Sequence, residues 1–231
     1  MDGILIVDKP LGPTSHDICQ QAKRLFKAKK VGHAGTLDPL ATGVLILLFG
    51  KATKLSNRFL GAKKEYIFEM ELGRTSDTYD AQGTLTPKIA VPDNVEEKLK
   101  KLLPKFMGKI EQTVPSFSAV KFKGTPLYRL ARQGKEVPKK TREICIEQLT
   151  IEKLEFPRVT LKVLCSSGTY VRSLAHDLGQ QLSCGAYVTA LRRVRSEPFL
   201  ISQAVSWDSS KEELFRNFIV SPSIPDIESK G

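Results

Sequence analysis

The sequence predicts an α+β fold built on a mixed, mainly antiparallel sheet flanked by helices and loops. Three observations carry this. Strand-like alternation recurs in separate stretches: Tyr66, Phe68, Met70 and Leu72 against Glu65, Ile67, Glu69 and Glu71, then Ile144 to Leu154, then Val159 to Cys165. Helical spacing appears between them, with Ile18, Ala22, Leu25 and Phe26 on one stripe and Val95, Leu99, Leu102, Leu103 and Phe106 on another. The two kinds of segment interleave irregularly, without the strict strand–helix–strand order of a parallel sheet.

In chain order, Gly3 to Asp8 reads as a short apolar strand ending at Lys9-Pro10. Thr14 is placed to cap the following helix, with Asp17 in its first turn to meet the orphan amides and the basic residues on the far face. A glycine-rich loop covers 31–43, and the apolar run Val44 to Phe49 behind it reads as a buried strand. After the alternating strand at 65–72 comes an acidic loop, Asp77 to Gly83. Pro92-Asp93 starts the second helix. Residues 115–143 differ in kind: Pro115, Gly124, Pro126, Gly134 and Pro138 punctuate a strongly basic stretch. It reads as a mobile surface loop with a short helix around Leu127 to Gln133. A helix is expected from Tyr170 to Leu182 and a strand from Tyr187 to Val194, with Arg192, Arg193 and Arg195 at its end. From Trp207 the chain turns polar and acidic, with a short helix at Lys211 to Phe218 and Ser-Pro punctuation after it.

Composition narrows the function. The 231 residues are 41% hydrophobic and 26% charged, which suits a globular chain with a sizeable core. The run Val44 to Phe49 is far shorter than the roughly 20 residues a membrane helix needs. The N-terminus has no basic region and meets Asp8 too early for a signal peptide, so a cytoplasmic protein without a membrane partner is expected. Cysteines 19, 145, 165 and 184 form no C-x-x-C pair, and His16, His33 and His176 have no ligand spacing, so buried thiols and no metal are expected. Gly50-Lys51 invites comparison with a phosphate-binding loop, but the spacing from Gly43 is wrong and Ala52 stands where Ser or Thr is needed. No cofactor is expected. The net charge of +11 points instead to a polyanionic partner, with basic patches at 23–30, Lys63-Lys64, 121–140 and 192–195.

The run Val31 to Gly43 holds one carboxylate, Asp38, and one imidazole, His33, among Gly32, Gly35, Gly43 and Pro39. Pro39 pushes Asp38 toward an extended backbone, and the glycines permit close approach of a bulky partner. Taken alone these residues leave two readings open, a reactive loop or a turn with a solvated acid.

Gly32-His33-Ala34-Gly35-Thr36-Leu37-Asp38-Pro39-Leu40-Ala41-Thr42-Gly43 closely resembles the catalytic motif of the TruB family of tRNA pseudouridine synthases. Other blocks agree in the family's order: Gly3 to Pro10, Lys64-Glu65-Tyr66, Asp77 to Gly83, Pro115 to Lys121, and Gly168-Thr169-Tyr170-Val171-Arg172-Ser173-Leu174. The resemblance covers about residues 3 to 200. It implies a pseudouridine synthase fold, with residues 1–206 as the catalytic domain, 115–143 as an insertion that closes over RNA, and 207–231 as a short tail. Relatives commonly continue into a C-terminal RNA-binding module of the PUA type, for which residues 208–231 are too few.

By the same resemblance, Asp38 is the nucleophile, His33 holds the extruded tRNA loop, Tyr66 stacks on the flipped base, Arg172 pairs with the catalytic carboxylate, and Leu191 lines the base pocket. Lys9 and Pro10 shape the pocket floor, and Tyr170, Lys121 and Arg132 complete the substrate contacts. The partner implied is the T-arm of tRNA, with no obligate protein partner and a monomeric chain. The expected reaction is isomerisation of the T-loop uridine 55. The chemistry agrees, because exchanging a C–N for a C–C glycosidic bond needs no redox agent or group donor. It does need an ionised carboxylate, which a nearby guanidinium favours. A non-catalytic RNA-binding or remodelling protein and a synthase for another RNA are the competing readings. His176 and Asp177 are read as structural, and Asp80 as a turn organiser or a catalytic group.

Overall fold

The apolar run Val44 to Phe49 leaves no polar face for water, and it forms the body of a strand buried along its length. The computed structural model describes residues 1–220. Its elements in chain order are β1 (Gly3–Lys9), α1 (Ser15–Leu25), β2 (Val31–Ala34), β3 (Ala41–Phe49), α2 (Ser56–Leu60), β4 (Lys64–Leu72), α3 (Val95–Leu102), β5 (Gly108–Thr113), β6 (Lys121–Phe122), β7 (Thr125–Pro126), α4 (Leu127–Arg132), β8 (Thr141–Glu155), β9 (Arg158–Cys165), α5 (Val171–Gln181), β10 (Ala186–Ser196), β11 (Phe199–Leu200), β12 (Val205–Ser206), α6 (Lys211–Arg216) and β13 (Phe218–Val220). The fold is α+β, as the irregular interleaving predicts. Two compact units divide it: Met1–Tyr66 together with the chain from Leu191 onward, and Ile67–Ala190.

In the first unit the strand order is β12-β1-β3-β10. β1 runs antiparallel to β3, with Ile4 opposite Leu48 and Val7 opposite Leu45. On the other edge of β3, parallel β10 takes residues 41–43, and antiparallel β2 takes residues 46–49. The glycine-rich run is therefore not all loop. Val31–Ala34 pair with β3 because that edge offers unpaired backbone groups, and Ala34 drops into the core beside Ile46. Ile4, Ile6, Val44, Ile46, Leu48, Phe59 and Phe199 form that core, each such side chain contributing roughly 1.5–3 kcal/mol on burial. Thr14 and Asp17 make the expected capping box at the start of α1. Phe26 packs on Phe49, Phe215 and Phe218. The helix expected at 211–218 stops at Arg216, because Phe218–Val220 pair with Gly3–Leu5 of β1 as a strand too short to announce itself. The Ser-Pro punctuation after residue 220 lies outside the described residues.

In the second unit, residues 186–190 of β10 are followed across the sheet by β4, β9, β8 and β5. β4 shows unbroken alternation of buried and half-buried residues. The long hairpin β8–β9 is antiparallel throughout, and β5 adds to β8 in the same sense. The second helix keeps α geometry only from Val95 to Leu102 and tightens to a 3₁₀ turn at Leu103–Phe106, where Pro104 lacks an amide to donate. Residues 115–140 carry more order than the loop expected: β6 and β7 form a small hairpin and α4 follows it.

Two expected surface cations are buried. Lys64 donates its ammonium to the carbonyls of Phe59, Leu60 and Ala62, capping the C-terminal end of α2. Arg193 lies on the inward side of β10. Neither belongs to a basic patch that phosphates could reach.

Candidate active site

The Asp38 loop is hung between two strands. β2 delivers the chain to Gly35, β3 collects it at Ala41, and residues 35–40 between them are irregular. Ser15 at the start of α1 holds buried Leu37 on both sides: the Leu37 amide donates to Ser15 Oγ at 2.8 Å, and Ser15 Oγ donates to the Leu37 carbonyl at 3.1 Å. The Ala41 amide donates to the Asp38 carbonyl, and the Gly12 amide to the Pro39 carbonyl, each at 3.0 Å. The backbone of Asp38 is thus fixed from both directions, with its side chain half-buried.

Besides Lys64, two further cations of this unit are buried among the described residues, Lys9 and Arg193. Lys9 is completely buried, and its ammonium donates to the carbonyls of Pro10 at 2.8 Å and Pro13 at 2.7 Å. Burial pushes its pKa down to about 8, the Asp38 carboxylate opposes that shift, and the Arg193 guanidinium adds to it. Arg193 is 1% exposed; its Nε donates to the Val44 carbonyl at 2.8 Å and its Nη2 to the Gly35 carbonyl at 2.9 Å. His33 sits mid-β2, half-buried, with Nδ1 enclosed and without a hydrogen-bond partner in the protein. Burial first, then the Arg193 and His16 charges, lower its pKa, so the imidazole is neutral at pH 7. Leu191 is buried opposite Ala41, its carbonyl accepting from Thr42 Oγ1 at 3.5 Å. Tyr66 is 9% exposed on the inward side of β4.

The other expected site residues belong to the second unit. Arg172, on the first turn of α5, is buried and donates to the carbonyls of Thr78 at 2.9 Å and Phe117 at 3.0 Å, with Asp80 Oδ2 at 3.4 Å. Asp80 also accepts from Thr78 Oγ1 at 2.6 Å and from the Gln82 amide at 3.0 Å, the pattern of a loop organiser. Tyr170 precedes α5, its amide and carbonyl both held by the Gln112 side chain, with the Arg142 guanidinium 5.2 Å from its ring. Lys121 in β6 and Arg132 at the end of α4 are exposed. His176 stacks on Tyr79 with ring centroids 3.9 Å apart, and burial raises the neighbouring Asp177 to about 6.

Sequence reasoning missed Arg193, which it placed in a surface patch. The signal that could have found it is the strand period: Arg193 stands two residues from Leu191 on β10, so both side chains share the inward side.

Residues 23–171 match the family described as TruB family pseudouridylate synthase (N terminal domain), and residues 172–217 match the tRNA pseudouridylate synthase B C-terminal domain. The chain belongs to the TruB family. It is 40% identical over 230 residues to a protein named tRNA pseudouridine synthase B from Opitutus terrae, covering all of this chain and 92% of that one. A protein of the same name from Xanthomonas oryzae is 47% identical over 206 residues, covering 89% of this chain and 67% of that one. Among solved structures, the chain resembles one in a crystal structure of a Cbf5-Nop10-Gar1 complex, with a TM-score of 0.72 and 30% identity over 93% of this chain. It spans 58% of the length of that longer chain. In this member of the TruB family, the fixed Asp38 loop and the buried Lys9 and Arg193 occupy one unit.

Proposed function

We propose that this protein is a tRNA pseudouridine synthase that converts the T-loop uridine at position 55, with Asp38 as the nucleophile. The observation that carries the reading is the presentation of Asp38: a half-buried carboxylate on a loop held at both ends, beside a buried ammonium, in a chain of the TruB family. Relatives named tRNA pseudouridine synthase B support tRNA as the substrate.

The reaction breaks the C1′–N1 bond of uridine and forms C1′–C5. The proton leaves C5, N1 gains one, and no electrons are gained or lost overall. A carboxylate nucleophile serves such a step when its position is fixed before substrate arrives, since a misplacement of about 1 Å can cost a factor of about 100 in rate. Extruding the base costs a few kcal/mol. Stacking on the Tyr66 ring would recover roughly 1–3 kcal/mol of that. His33 and Leu191 are assigned to the tRNA loop and the base pocket, Lys9 to the pocket floor, and Tyr170 and Arg172 to the substrate. Exposed Lys121 and Arg132 suit phosphates, and such contacts make affinity fall steeply with salt.

The test is incubation of the purified protein with unmodified tRNA transcripts, followed by mapping of pseudouridine by chemical modification and primer extension. The expected result is one new pseudouridine, at position 55. Modification elsewhere would assign a different target, and binding without modification would assign a non-catalytic RNA-binding protein.

A further inference from the structure

We propose that Arg193 is a positioning residue for the Asp38 loop: its guanidinium ties the two ends of that loop together and so fixes where the carboxylate stands. This rests on the reading of Asp38 as nucleophile. The grip has two points. Nη2 donates to the carbonyl of Gly35, where the chain leaves β2, and Nε donates to the carbonyl of Val44, just after it has entered β3. One planar group thus spans the whole excursion, and a guanidinium can do so because its donors are held in a rigid fork.

The glycines of the motif take their meaning from the same residue. A side-chain carbon on Gly35 would stand 3.3 Å from Arg193 Nη1, and Gly35 turns with φ +88°. Gly43 lies opposite Arg193 in the β3–β10 pairing. With φ +101°, it has no room for a side chain, which would lie 2.9 Å from both the backbone nitrogen and the carbonyl carbon of Arg193 and closer still to its oxygen. One glycine admits the guanidinium and the other admits the backbone that carries it. Carbonyl oxygens bear only partial charge, so burying a cation against them costs desolvation that an apolar residue would avoid. A residue needed only to fill the core would not incur that cost. The charge also acts on Lys9 and His33, adding to the burial that lowers the pKa of each.

The experiment compares wild type with Arg193→Lys, Arg193→Ala and Asp38→Asn. Readouts are single-turnover pseudouridine formation, tRNA affinity by filter binding, and melting temperature. Arg193→Lys keeps the buried charge but loses the fork, and the expected result is a rate loss of about 100-fold with tRNA affinity within about 3-fold. Arg193→Ala should lose more, and millimolar guanidinium should restore part of its rate without changing tRNA affinity. Wild-type rates in folded Arg193→Lys, or no guanidinium rescue of folded Arg193→Ala, would overturn the assignment. Failure of both variants to fold, with guanidinium present, would assign Arg193 to the fold alone and overturn it equally. Asp38→Asn separates the layers: if it turns over normally the nucleophile reading fails, whereas if it is inert and the Arg193 variants are fully active only the present inference fails.

Discussion

The fully buried ammonium of Lys9 makes a prediction with a definite sign. Burial holds its pKa at about 8 in the folded protein, against 10.5 for the free side chain. Below pH 8 the group is charged in both states, and its burial weighs against folding. Between pH 8 and 10.5 the unfolded chain binds the extra proton, so stability rises with pH across that window. The interval of about 2.5 pH units corresponds to about 3 kcal/mol at 1.36 kcal/mol per unit. The perturbation is Lys9→Met, which keeps the stem and removes the titration. Urea unfolding of both proteins from pH 7 to 10.5 isolates the effect, because the remaining titrating groups are shared. Wild type should gain about 3 kcal/mol relative to Lys9→Met over this range, with little change between pH 6 and 7. At pH 7 the variant also leaves the Pro10 and Pro13 carbonyls without their donor, so the slope is diagnostic and the offset is not. Parallel stability curves would refute the argument, as would a difference that moves in favour of the variant as pH rises.

Other consequences are equally direct. Gly43→Ala should cost more than about 3 kcal/mol or prevent folding, because its methyl would meet the Arg193 backbone; Gly12→Ala, at φ +108° with open space around it, should cost only about 1–2 kcal/mol, and urea midpoints compare the two. Asp80→Asn should destabilise by about 3 kcal/mol, the low end for a broken buried pair because Arg172 keeps the Thr78 and Phe117 carbonyls; thermal unfolding measures it, and no loss would contradict the ion pair. Limited proteolysis of residues 115–140 should slow in the presence of tRNA if this exposed basic segment closes on RNA, whereas equal cleavage would count against that role.

Much of the fold could be read from periodicity. The alternation at Tyr66 to Leu72 became β4 with every second residue buried, and Thr14 with Asp17 became a capping box, because both signals are local. What escaped was set by distant partners. β2 formed within the glycine-rich run because β3 offered an edge beyond the residues that β10 takes, and β13 exists only through its pairing with β1. Charge misled in a similar way. Lys64 and Arg193 look like phosphate contacts in a chain of net charge +11, yet each turns its donors inward to backbone carbonyls. The family motif around Asp38 was visible because it is contiguous in the sequence. The residue that grips the loop stands more than 140 positions away, and only the strand period at Leu191 hinted at its direction.

The central claim is that Asp38 performs the chemistry. Its most direct test is tritium release from tRNA labelled at C5 of uridine, with Asp38→Asn beside wild type and tRNA affinity measured in parallel. Release should vanish in Asp38→Asn while affinity stays within about 3-fold, the pattern of an interaction that matters only in the reacting state. Release near the wild-type rate from the asparagine variant would contradict the account.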